Sequence, residues 1–189
     1  MKSLASLGLA LFLSACSASH SASTVRNIEH YPLFGPELVR WAVAGRDLPL
    51  VLILETEPER HDAWQSVAGQ ALSQVTSLQS GRVTAWPDGS QRGNFHLAVV
   101  INAPLGLTAR DACSGAIETA SLAVQDGQSH LLLAFCNEER PVSTARAVVS
   151  AIAAPGDPQF ISGLQAAATQ ALPRNDSERA KGSEPFLVP

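Results

Sequence analysis

Apolar positions in this chain follow two rhythms. Unbroken apolar runs of strand length occur at Leu50–Leu54, Leu97–Ile101 and Leu131–Phe135. Runs with no polar interleaving predict strands covered on both faces. Steps of three and four place Trp64, Val67, Ala68, Ala71, Leu72, Val75 and Leu78 on one stripe. That spacing predicts an amphipathic helix opened by Glu57-Pro58-Glu59 and ended before Gly81. Pro36 and Glu37 at a first turn, with Gly45 beyond the end, predict a shorter helix over about 36–44. Val83 to Trp86 reads as a short edge strand, followed by the turn-rich Pro87-Asp88-Gly89.

The second half is patterned less plainly. Thr108 caps a short helix through Cys113. Asp126-Gly127 lies between the apolar stretches Ile117–Val124 and His130–Cys136, a hairpin signal, although Ala116, Ala120 and Ala123 also suit a helix. Ser143 reads as the cap of a helix with Ala145, Val148, Val149 and Ile152 on one side. Asp157-Pro158 starts another, with Phe160, Leu164, Ala168 and Ala171 inward, and Pro173 stops it. Strands alternating with helices predict an α/β fold: a small central sheet of three to five strands, helices on both faces, in one domain over 31–172.

The N-terminus is different in kind. Lys2 precedes an apolar run, Leu4 to Leu13, about half the length of a spanning helix. Small residues follow, as in a secretory signal. Leu13-Ser14-Ala15-Cys16 resembles the lipobox of bacterial lipoprotein precursors. The resemblance implies cleavage after Ala15, acyl chains on Cys16, and a protein held on a membrane by lipid. Ser17 in place of the Asp that marks inner-membrane retention implies the periplasmic face of the outer membrane. Residues 16–30, rich in Ser and Ala, are expected to form a flexible tether. Residues 173–189 are expected to be a mobile tail, polar and then apolar at Pro185-Phe186-Leu187-Val188-Pro189.

Composition narrows the function classes. With 46% apolar and 16% charged residues the chain is an ordinary globular one. The formal charge is −4, and no basic stretch offers a nucleic-acid groove. Of three Cys, Cys16 goes to lipid, leaving Cys113 and Cys136 in a chain exported to an oxidising compartment. A disulfide is the economical reading. A thiol nucleophile would need a base nearby, and zinc would need further ligands at short spacing.

Candidate chemistry is sparse. Glu55 and Glu57 follow the first predicted strand, and Glu138 follows the third, where α/β sheets often bind ligands. His96 and His130 each begin an apolar strand. If these strands run parallel, the acidic loops share one edge, the best place for a pocket. No His-x-His, His-Glu-x-x-His, phosphate-loop or nucleophile-elbow motif appears, and neither a metal nor a cofactor is expected. The leading expectation is a non-enzymatic envelope module that binds a protein or cell-wall partner. A tethered hydrolase using the acidic edge and a His, and a carrier for an apolar ligand, are the rivals. A cluster of Glu55, Glu138 and a His in one cleft would favour the hydrolase, a dry pocket the carrier, and an exposed Trp86 or Tyr31 the binding module.

Overall fold

The structure is a computed structural model that describes residues 23–32, 34–86 and 95–173. The expected signal segment, Cys16, the first part of the expected tether and residues 174–189 lie outside them, as does the turn expected at Asp88-Gly89.

The fold is α/β, built on one six-stranded mixed sheet with helices on both faces and one disulfide. Strands β1 (Thr24–His30), β2 (Asp47–Ile53), β3 (Arg82–Ala85), β4 (Phe95–Ile101), β5 (Gln128–Asn137) and β6 (Arg140–Ser150) lie in the order β1-β6-β5-β4-β2-β3. β2 is parallel to both β3 and β4, whereas β4, β5, β6 and β1 are antiparallel in turn. The end where β2 and β4 finish is called the carboxyl end below, and the opposite one the amino end.

Six strands exceed the expected three to five, and two of them, β1 and β6, correct the sequence reading. Thr24–His30, expected within the flexible tether, is edge strand β1, paired with β6 from Thr24↔Val148 to His30↔Ser143. Val25 and Ile28 pack on the core there. The second correction is β6, expected as a helix from Ser143. Its apolar residues satisfy both periods, because Ala145, Ala147 and Val149 also repeat every second residue. The open edge of β5 decides between them, since ten residue pairs join β5 and β6, with one irregularity between Phe135 and Cys136. The hairpin is therefore β5–β6, turning at Glu138 with φ 54°. Asp126-Gly127 does form a turn, closed by Gln125 and Gln128. Its first arm, however, holds only a 3-10 turn at Thr119–Ser121. Both edges of β5 are already taken by β4 and β6.

Helices α1 (Pro36–Val43), α2 (Pro58–Ser73) and α4 (Pro158–Ala171) cover one face, and α3 (Ala109–Ser114) covers the other. α2 ends at Ser73, earlier than its stripe implied, and Val75 and Leu78 continue into the core from a 3-10 turn. α4 lies beside α2 in the same direction. Trp64 and Phe160 meet edge to face at 5.2 Å, and the Gln165 amide donates to the carbonyl of Ala71 at 3.2 Å. Since α2 runs from the carboxyl end back to the amino end, α4 finishes at the amino end too. Gly163 lets this helix sit close to the sheet: a Cβ there would come within 2.7 Å of Val149 Cγ1. On the other face, Thr108 and Asp111 form a capping box for α3, and Gly115 at φ 71° ends it. Cys113 in α3 is bonded to Cys136 in β5, with Cα atoms 5.6 Å apart.

Candidate functional site

The sequence singled out five residues for one sheet edge, and strand direction separates them. β5 is antiparallel to β4, so Asn137 pairs with Phe95 and the following Glu138 sits at the amino end. Glu55, beyond β2, sits at the carboxyl end. The two acidic loops therefore do not share an edge. Glu57 is the N-cap residue of α2, exposed, with no side-chain capping bond. His130 is at the carboxyl end, but it alternates with Leu131 and so shares the α3 face with Leu132 and Ala134. Burial is the largest influence on its imidazole pKa, followed by Arg146 and Arg26, and together these hold it below the ordinary value. His96 is fully buried, opposite Cys136 in the ladder. Its ring meets Trp86 edge to face at 5.4 Å, which leaves Trp86 half-buried. Glu55, Glu138 and a His thus share no cleft. Among the described residues no group of three or more His, Cys, Asp or Glu could hold a metal ion.

Besides a shallow concavity between α2 and β3, one concavity lies at each end of the sheet. At the carboxyl end a cleft of about 420 Å³ is lined by Glu55, Glu59, Arg60, Trp64, Asn102 and Ile152. It lies where β2 and β4 finish, as sheet topology would place a ligand site. Of the five expected residues it holds only Glu55. On the outer side of β2, the ring of His61 lies 3.1 Å from the Leu52 carbonyl and the Gln65 amide donates to Leu50 at 2.9 Å. The Leu52 carbonyl lies beyond the register of the four-residue β3, whereas the Leu50 carbonyl also accepts from the Trp86 backbone N–H at 3.0 Å.

At the amino end a groove of about 560 Å³ runs between α1, the β5–β6 turn and the start of α3. Tyr31, Leu38, Phe95 and Pro141 supply its apolar surface, and Arg110 and Arg140 supply cations. No acidic side chain lines it, and neither arginine has an ion-pair partner among the described residues. Phe95 stacks on Phe135 at 5.5 Å and meets the exposed Trp41 edge to face at 5.8 Å. Trp41 is 54% exposed with the Arg46 guanidinium over its ring, so aromatic surface continues beyond the groove. The Tyr31 hydroxyl donates to Glu29 at 2.9 Å. Burial and then this carboxylate raise the Tyr31 pKa, against the pull of Arg110.

A second, smaller recess continues from Tyr31 and Thr108 along β1 to Arg146. Arg146, nearly buried, donates to the carbonyls of Pro104 and Leu107. It thereby fastens the loop before α3 to the sheet. The sequence reading missed Arg110, Arg146, Trp41 and the groove itself. Single arginines and one Trp in separate elements carry no spacing signal. Only Tyr31 was marked in advance.

In comparison with known proteins, no family model and no curated protein matches the sequence. Among solved structures, two crystal forms of the PelC dodecamer from Paraburkholderia phytofirmans, one of a point variant, resemble the chain. Each is 13% identical, covers 80% of this chain and 95% of PelC, and has a TM-score of 0.41. Likeness at that level assigns no function.

Proposed function

We propose that this chain is a lipid-anchored envelope protein whose folded part works by binding rather than by catalysis. The lipobox-like Leu13 to Cys16 motivates the anchor. The amino-end groove carries the binding reading: apolar and aromatic surface, two arginines without ion-pair partners among the described residues, and an exposed Trp41 alongside. Aromatic residues and arginine are the side chains that most often dominate binding energy at protein surfaces. Such a groove suits an extended segment with apolar side chains and an acidic neighbour. The carboxyl-end cleft supports a second reading, a tethered hydrolase, because Glu55 and Glu59 both line it.

Two experiments in intact cells test the proposal. Replacing Cys16 by Ser is expected to abolish labelling with radioactive palmitate; unchanged labelling removes the anchor. A photo-reactive amino acid at Leu38 is expected to capture a discrete envelope partner, and Arg110→Glu with Arg140→Glu is expected to weaken that capture. If Glu55→Gln or Glu59→Gln reproduces the phenotype of gene loss with folding and abundance preserved, the hydrolase reading replaces binding.

A further inference from the structure

We infer that residues 184–188 of this chain dock in the amino-end groove of the same molecule, with Phe186 and Leu187 on its apolar surface and Glu184 against Arg110 and Arg140. The inference rests on the reading of that groove as a binding surface and names its resident occupant. Three observations carry it.

The first is position. α4 ends at Ala171, and its direction beside α2 delivers Pro173 to the amino end, where the groove opens. Residues 174–183 then lead to Glu184 and can span roughly 35 Å when extended, about the width of a domain this size.

The second is chemistry. Glu184-Pro185-Phe186-Leu187-Val188 places one carboxylate directly before three apolar side chains. The groove offers the complement, a mainly apolar lining beside two arginines, with no acid in it. Arginine binds a carboxylate through paired hydrogen bonds, which sets the direction in which the segment lies.

The third is the cost of ordering. Helical backbone is disfavoured at a residue before proline, and Pro185 follows Glu184 as Pro189 follows Val188. A segment with fewer accessible conformations loses less freedom on docking. Tethering to the same domain raises its effective concentration as well. The consequence is regulatory: a partner using this groove must displace the segment, so it binds more tightly once the segment is removed.

The test uses the full chain purified in detergent, with a photo-reactive amino acid in place of Leu187. The expected product is an intramolecular crosslink to the region of Tyr31, Leu38, Phe95 or Pro141. Mixing isotopically light and heavy chains distinguishes docking within one molecule from docking between two. Arg110→Glu or Arg140→Glu is expected to lower the yield roughly two- to fivefold, the size of an exposed ion pair. Glu184→Arg combined with Arg140→Glu is expected to recover it. Crosslinks scattered over the surface, crosslinks only between light and heavy chains, or no recovery on charge exchange would each overturn the inference. A partner captured at Leu38 in cells, with no intramolecular crosslink, removes this inference and leaves the binding function. The internal crosslink without any cellular partner does the reverse.

Discussion

The two faces of the sheet are held by different physics. The face under α1, α2 and α4 buries large side chains, among them Phe135, Phe160, Trp64 and a row of leucines from β2, β4 and β5. The face under α3 has a small cluster made largely of Ala98, Ala103, Ala109, Ala112 and Ala134. A six-residue helix is far too short to persist on its own, and alanines give it little apolar area to bury. Directed contacts take over: the Cys113–Cys136 bond, the Thr108–Asp111 capping box, and Arg146 reaching the carbonyls of Pro104 and Leu107. Where apolar volume is scarce, a few covalent and polar fasteners set the geometry. Here they also position Thr108 and Arg110, which line the amino-end groove.

Four experiments break or sharpen this contrast. The largest effect is expected on the apolar face. Phe160→Ala removes a fully buried ring packed on Trp64 and should cost about 4 kcal/mol in denaturant unfolding. A loss under about 1 kcal/mol would show that the large core is not what holds this face. Next comes the disulfide. Replacing Cys113 and Cys136 by Ala should cost about 3 kcal/mol on the chain-entropy account. Hydrogen exchange should rise first over 103–122, while amides of α4 stay protected. Uniform acceleration over both faces would mean that they unfold as one unit and would break the contrast.

A smaller change tests the polar fasteners alone. Thr108→Ala removes the hydroxyl that accepts from the Asp111 amide and should cost about 1 kcal/mol, read from the thermal midpoint. Hydrogen bonds from the Thr108 side chain, then from its backbone, hold the Asp111 pKa below the usual value. The Thr108→Ala protein should therefore show a weaker loss of stability as pH falls through the acidic carboxylate range.

The smallest effect concerns His130, whose pKa is lowered by burial first and by Arg146 and Arg26 next. The unfolded chain then binds the proton more readily than the folded one, so stability falls as pH drops below the ordinary histidine value of 6.5. It levels off once the folded ring protonates as well. His130→Gln should flatten that part of the pH–stability curve. An unchanged curve would place the pH sensitivity elsewhere.

What was legible from the residues alone follows a physical line. Most elements stated by short-range rules read correctly, the Ser143 cap and the first arm of the Asp126-Gly127 hairpin excepted. Pro36 and Pro158 open α1 and α4, Thr108 caps α3, and the apolar runs at Leu97 and Leu131 lie in buried strands. The cysteine count led to the disulfide because chemistry left Cys113 and Cys136 few other roles. Elements stated by long-range pairing did not read. β6 satisfies helical and strand periods at once, and only the free edge of β5 chose between them. β1 has too little apolar character to announce itself, and its partner lies more than a hundred residues away.

The candidate site failed for the same reason. Glu55 and Glu138 could be assigned to one edge only by assuming parallel strands, and the antiparallel β5 placed them at opposite ends. The amino-end groove draws Tyr31, Leu38, Phe95, Arg110 and Arg140 from five separate stretches of chain. No local spacing relates them. Residue order determined the pieces, since capping, periodicity and thiol chemistry act over a few positions. The strand order β1-β6-β5-β4-β2-β3 determined which pieces face each other, because hydrogen-bond pairing between distant segments is settled only when the whole sheet assembles.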